Sequence, residues 1–261
     1  MGLLMLDEVD STNTYTREHC DELEDGTLVV ARTQTAGRGR RGRSWVSPPG
    51  VNFTGSVLFK RLDDGFHAGC LLGVAALALI RELAPELPVY LKWPNDLYIE
   101  DRKLAGILCE SARIENGRIT AVAAGIGINV NLPPETLQSI DQPATSLLAE
   151  TKREFNLDFF SKKLAETVNR YYIIYLNNAG TVIQEWIALN LLAGESLTVI
   201  DPRGEAHTGI FRRILEDGSM LFEEEGAPIA FTCGDVKIDR DSVDWNRLKQ
   251  KASNHYKQPK E

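Results

Sequence analysis

The chain has 261 residues, 43% of them hydrophobic and 25% charged, enough for one large domain or a large one plus a small one, and not the make-up of a fibrous or wholly disordered protein. Its longest uncharged apolar run, Ala68 to Ile80, is about 13 residues, short of the roughly 20 that cross a bilayer, so no membrane partner is expected. Net charge is −8, but residues 37–43 carry +4 and residues 245–261 another +4, leaving −16 on a body that would repel a nucleic-acid backbone.

The N-terminus lacks a basic segment and turns acidic at Asp7-Glu8, unlike a secretory signal, so a cytoplasmic address is expected. An opening strand over residues 3–8 runs into Asp10-Ser11-Thr12-Asn13, a cluster of helix-capping residues that predicts a helix through Leu23. Thr27 to Thr33 is β-branched and reads as a strand. The stretch Thr35 to Trp45 is too rich in glycine and arginine for a regular element and reads as a mobile loop. Val51 to Lys60 alternates as a strand does, and the apolar run through Leu83 reads as a buried helix. Leu91–Glu100 and Lys103–Ile114 form a predicted hairpin, and Glu115-Asn116-Gly117-Arg118 turns into a third antiparallel strand. Helices are predicted over 158–175 and 182–189. Beyond Gly194, short β-like runs at 196–200, 206–215, 219–223 and 227–233 suggest a small barrel. The basic tail after Trp245 reads as a frayed end.

Cys20, Cys70, Cys109 and Cys233 lack paired spacing, and the four histidines form no pattern, so neither a disulfide framework nor a metal centre is expected. Chemistry is expected instead from three stretches. In Gly37-Arg38-Gly39-Arg40-Arg41-Gly42-Arg43, guanidinium forks and approachable backbone N–H groups suit a small anion. RNA binding or a merely solvated loop stays open, and the fit to GxGxxG is weak. Along residues 121–130 one face carries Ala121, Ala123, Gly125, Gly127 and Asn129, the other Val122, Ala124, Ile126, Ile128 and Val130. The bare face suits either a ligand floor or a closely packed helix. Lys92-Trp93-Pro94-Asn95-Asp96 and Lys103 put cations, an amide and a carboxylate near one sheet end.

With Ala144-Thr145-Ser146-Leu147, these stretches occur in an order that resembles the biotin protein ligases, that is, the biotin–[acetyl-CoA-carboxylase] ligases. The resemblance covers residues 6 to about 150, with the C-terminal β-rich part also similar. It implies an α+β fold: a mixed, largely antiparallel sheet with helices packed on it, class II synthetase-like, over residues 1–190. A small C-terminal SH3-like β-barrel at 191–243 and a flexible tail at 244–261 would follow. The motifs begin at once, which implies a monofunctional type with no DNA partner.

By the same resemblance, Ser11, Thr12, Asn13 and Gln34 would hold the ureido ring of biotin, with Gly37, Arg38, Gly39, Arg40, Lys103, Gly106 and Gly125 completing its slot. Arg38, Arg40, Arg43, Trp45, Lys92, Asn95, Lys103 and Asn129 would bind ATP and the adenylate. Lys103 and Arg40 would be catalytic, with Asp96 a candidate base; no metal ligand is assigned. ATP with Mg²⁺ would activate biotin as biotinyl-5′-AMP, and the acceptor would be the biotin carboxyl carrier domain of a carboxylase. Monomer and homodimer both stay open. The rival readings are a lipoate ligase and a non-catalytic RNA-associated protein.

Overall fold

The computed structural model describes residues 2–238 and 240–257, with backbone alone for residues 254–257. Strand β1 (Leu3–Val9) leads into helix α1 (Thr12–Glu18), which is shorter than the capping signal suggested, and β2 (Leu28–Gln34) returns parallel to β1. The seven-stranded sheet continues through β3 (Phe53–Phe59), β4 (Tyr90–Lys92), β5 (Asp96–Ile99), β6 (Arg102–Glu115) and β7 (Arg118–Ile128) in the order β1-β2-β3-β7-β6-β5-β4. All its pairs except β1–β2 are antiparallel. The single strand expected over 91–100 is two, because Pro94 cannot donate to a ladder and the chain turns there. Asn116 and Gly117, with φ of 52° and 75°, form the tight β6–β7 turn.

Helix α2 (Gly65–Leu83) starts at Asp64, whose carboxylate accepts the Phe66 amide at 2.9 Å, and stops before Pro85. Length and apolar composition would let it cross a membrane, yet it packs on β6 and β7 beneath α5 (Leu157–Asn177) and α6 (Ala179–Ala188). Its residues from Cys70 to Leu77 are all buried, so its hydrophobicity is that of a core helix. Short helices α3 (Pro134–Leu137) and α4 (Leu147–Thr151) line the connection from β7 to α5. Helix α1 lies against β3, β6 and β7, on the face where the small residues of β7 are.

The C-terminal β unit is a five-stranded antiparallel sheet in the order β11-β10-β9-β8-β12. Its strands are β8 (Ser196–Ile200), β9 (Ala206–Ile214), β10 (Met220–Glu224), β11 (Ala227–Phe231) and β12 (Asp235–Lys237). It shares one apolar cluster with the larger sheet, and Trp93 reaches across to donate its indole N–H to the Gly218 carbonyl at 2.9 Å.

The tail corrects the sequence reading. Residues 245–257 form helix α7 (Trp245–Lys257), with Leu248 and Ala252 only 3% and 1% exposed; residues 258–261 lie outside the described residues. The basic composition hides an apolar stripe at 245, 248 and 252, and the charge has a structural use. Lys249 pairs with Glu100 at 2.7 Å, and Arg247 pairs with Glu195.

Candidate active site

Parallel pairing of β1 with β2 sets Val9 beside Gln34, so the start of α1 and the end of β2 converge at one sheet edge. There the Gln34 Oε1 accepts the Thr12 backbone N–H at 2.7 Å and lies 3.0 Å from the Thr12 hydroxyl. Ser56, on β3, lies 2.7 Å from both Thr12 Oγ1 and Asn13 Oδ1. Ser11, Thr12, Asn13 and Gln34 line one end of a cavity of about 510 Å³.

The floor is the bare face of β7. A Cβ at Gly125 would lie 2.9 Å from Asn13 Cγ and 3.2 Å from Ser56 Oγ, while one at Gly127 would overlap the Trp45 indole. Val122, Ala124, Ile126 and Ile128 point the other way, into the core. Both alternatives left open by the sequence hold in part. The glycines admit the first turn of α1 and the Trp45 ring, and what remains above them is the cavity.

At the far end Lys103 opens β6, and its side chain lies over Gly106, where a Cβ would come 3.0 Å from Lys103 Cε. Its ammonium pairs with Asp96 at 2.8 Å. Asn95 is fixed through Nδ2 to the Ile107 carbonyl at 2.5 Å and accepts from Arg40 at 2.9 Å. Asn129 donates to the Thr145 carbonyl at 3.0 Å. The arginine loop is folded over this end. Gly39 N–H donates to Arg43 O at 2.7 Å, Trp45 N–H donates to Gly37 O at 2.9 Å, and Arg41 and Gly42 make the bend with positive φ.

Each arginine has an acidic or amide partner outside the loop. Arg38 pairs with Glu110 at 3.2 Å, Arg40 bonds Asn95, and Arg41 and Arg43 both pair with Asp235 of the C-terminal sheet. Such half-exposed pairs are each worth about 0–1 kcal/mol, so they position the loop without locking it.

Two expected ligand residues are placed elsewhere. Lys92 does not line the cavity: it is buried, donates to the Val236 carbonyl of β12 at 2.7 Å, and sits 4.6 Å from the centre of the Tyr98 ring. Its spacing in the motif gave the segment correctly but not the direction of the side chain, which ties the two sheets together. Gly37 does not line the cavity either; a Cβ there would press on the Trp45 carbonyl and on Gln34 Nε2, so it serves loop passage. All other expected site residues line the cavity. The sequence reading missed Ser56, Asp235 and residues 139–142, which also line or support it. Ser56 had a signal, a hydroxyl in the middle of a strand, Phe53–Phe59, that is buried throughout.

Burial pulls the Lys92 pKa from 10.5 down to about 8, with Lys103 and Arg43 also lowering it and Asp96 and Asp235 opposing. The unfolded chain therefore binds more protons between pH 8 and 10.5, and this group's contribution to stability rises with pH across that window. Wild type is expected to gain stability relative to Lys92→Met from pH 8 to pH 10, read from urea midpoints; a constant gap would remove the buried ammonium as the cause.

Known proteins resemble this chain in sequence and in fold. Residues 5–129 match the model of the Biotin/lipoate A/B protein ligase family. The chain is 35% identical over 225 residues to the biotin–[acetyl-CoA-carboxylase] ligase of Paracoccus denitrificans, an alignment spanning 83% of this chain and 92% of that one. The chain belongs to the biotin protein ligase family. This ligase is also 30% identical to the bifunctional ligase/repressor BirA of Escherichia coli, over 91% of its own length and 74% of the relative's. Its fold matches a biotin protein ligase from Aquifex aeolicus solved with biotin and ATP, at 27% identity and a TM-score of 0.75, over 90% of this chain and 97% of that one.

Proposed function

We propose that this ligase joins the carboxylate of biotin to a lysine of a biotin carboxyl carrier domain, through biotinyl-5′-AMP and at the expense of ATP with Mg²⁺. The observation that carries this is one continuous cavity with hydrogen-bonding oxygens at one end and Lys103, Arg40 and Arg43 at the other. The first end suits the N–H groups of a cyclic urea; the second suits a carboxylate and a phosphate meeting. Two anions must approach for the carboxylate oxygen to attack the α-phosphorus and expel pyrophosphate. Cations fixed beforehand offset that repulsion and the charge on the pentacoordinate phosphorus.

Lys103 rests against Asp96 and turns to the α-phosphate, which leaves the carboxylate free to accept a proton from the acceptor lysine. That lysine, with a pKa near 10.4, is neutral in only about one part in 10³ near pH 7, so a base is required. The Mg²⁺ would be carried mainly on the nucleotide phosphates. Among the described residues, the three-residue group able to hold a metal, Asp201, Glu205 and His207, lies at the β8–β9 turn and does not line the cavity.

ATP–pyrophosphate exchange measured with biotin, with lipoate and with neither tests the reading. Exchange is expected with biotin alone; exchange with lipoate instead would overturn it. Arg40→Gly removes the tie to Asn95 and should speed loss of the adenylate about 10-fold or more, with stray labelling of bystander amines. Unchanged retention on a desalting column would take Arg40 out of that role.

A further inference from the structure

The polar end of the cavity is short of hydrogens. Gln34 Oε1, Thr12 Oγ1, Ser56 Oγ and Asn13 Oδ1 form a chain of four oxygens with successive contacts of 3.0, 2.7 and 2.7 Å. Three contacts need three hydrogens, and the two hydroxyls supply two. One contact is always proton-poor, and a ligand bringing N–H donors relieves it.

That shortage depends on which way the Asn13 amide faces. Turned over, it would give Ser56 an N–H and the deficit would vanish. The other side of the amide forbids the turn, because Nδ2 donates to the Leu108 carbonyl at 3.0 Å and to Glu110 Oε2 at 2.8 Å. A flipped Oδ1 would face a carbonyl and a carboxylate, both acceptors. Asn13 is 3% exposed, so water does not compensate the mismatch. Glu110 does not line the cavity, and it is itself held by Arg17 at 3.3 Å and Arg38 at 3.2 Å.

We propose that Glu110 is a specificity-determining positioning residue: by fixing the orientation of the Asn13 amide it keeps the pocket rich in acceptors and so selects a ring bearing N–H donors. This rests on the biotin reading and adds the reason for its selectivity. A carboxylate outside the pocket would decide what the pocket accepts.

The test titrates the full chain with biotin and with its cyclic carbamate analogue, in which one ureido N–H is replaced by oxygen at nearly the same shape. Wild type should prefer the urea on the order of 10²-fold or more, as sites that pair every buried polar group do. Glu110→Ala should lower that preference about tenfold or more, because the Leu108 carbonyl alone then opposes the turn that lets Asn13 donate. Glu110→Thr, which keeps β-propensity at this strand position, should lower it as well. Arg17→Ala removes the ion pair at Glu110 Oε1 but leaves Asn13 held at Oε2, and should keep the ratio within about threefold of wild type. An unchanged ratio in both Glu110 variants, or an equal fall in Arg17→Ala, overturns the inference. Wild type that ignores biotin and takes lipoate would instead overturn the proposed function, so the two failures are distinct.

Discussion

Lys103→Ala is expected to cut biotin-dependent ATP–pyrophosphate exchange by on the order of 10²–10³-fold or more, since in the proposed reaction it removes a fixed cation from the point where two anions meet. The fold should survive. Lys103 lies at the end of β6 with its ladder made by backbone, and its departure leaves Asp96 at the cavity wall, where water reaches it. Biotin affinity should fall far less than exchange, because the ureido end is untouched. Unimpaired exchange in this variant, with a wild-type melting temperature, would exclude Lys103 from the chemistry.

Gly125→Ala should weaken biotin binding on the order of 10²-fold, the usual consequence of an ångström-scale displacement in a preorganised site. The new methyl would come 2.9 Å from Asn13 Cγ and 3.2 Å from Ser56 Oγ, so the amide and the first turn of α1 must move. The added carbon faces the cavity rather than the core, and strand pairing with β3 and β6 does not depend on it. Calorimetry with biotin checks the affinity, and wild-type affinity would mean that the oxygen chain tolerates displacement.

The alternation over residues 121–130 was fully legible, because one strand repeats every two residues and its two faces meet different surroundings. So were the capping cluster at Ser11–Asn13 and the arginine loop, each a local signature. What the sequence could not display were pairings across long separations. Asp235 meets Arg41 and Arg43 from about two hundred residues away, and Glu110 on β6 meets Asn13 on α1 from about a hundred. Neither carboxylate differs in composition from its neighbours, so nothing local marks it. Lys92 failed for a related reason: its motif placed it beside Asp96, but only the packed C-terminal sheet supplies the Val236 carbonyl that turns it away. Helix α7 was missed because net charge obscured three apolar positions.

The parallel β1–β2 pair is the sheet's edge, and β1 is held by one neighbour alone. A slip of β1 by one residue would carry Ser11, Thr12 and Asn13 away from Gln34, which stays with β2 against β3, parting the two halves of the proposed biotin slot while every lining residue kept its identity. Damaging alleles should therefore collect along Leu3–Val9 and Leu28–Thr33, in side chains that never touch the substrate.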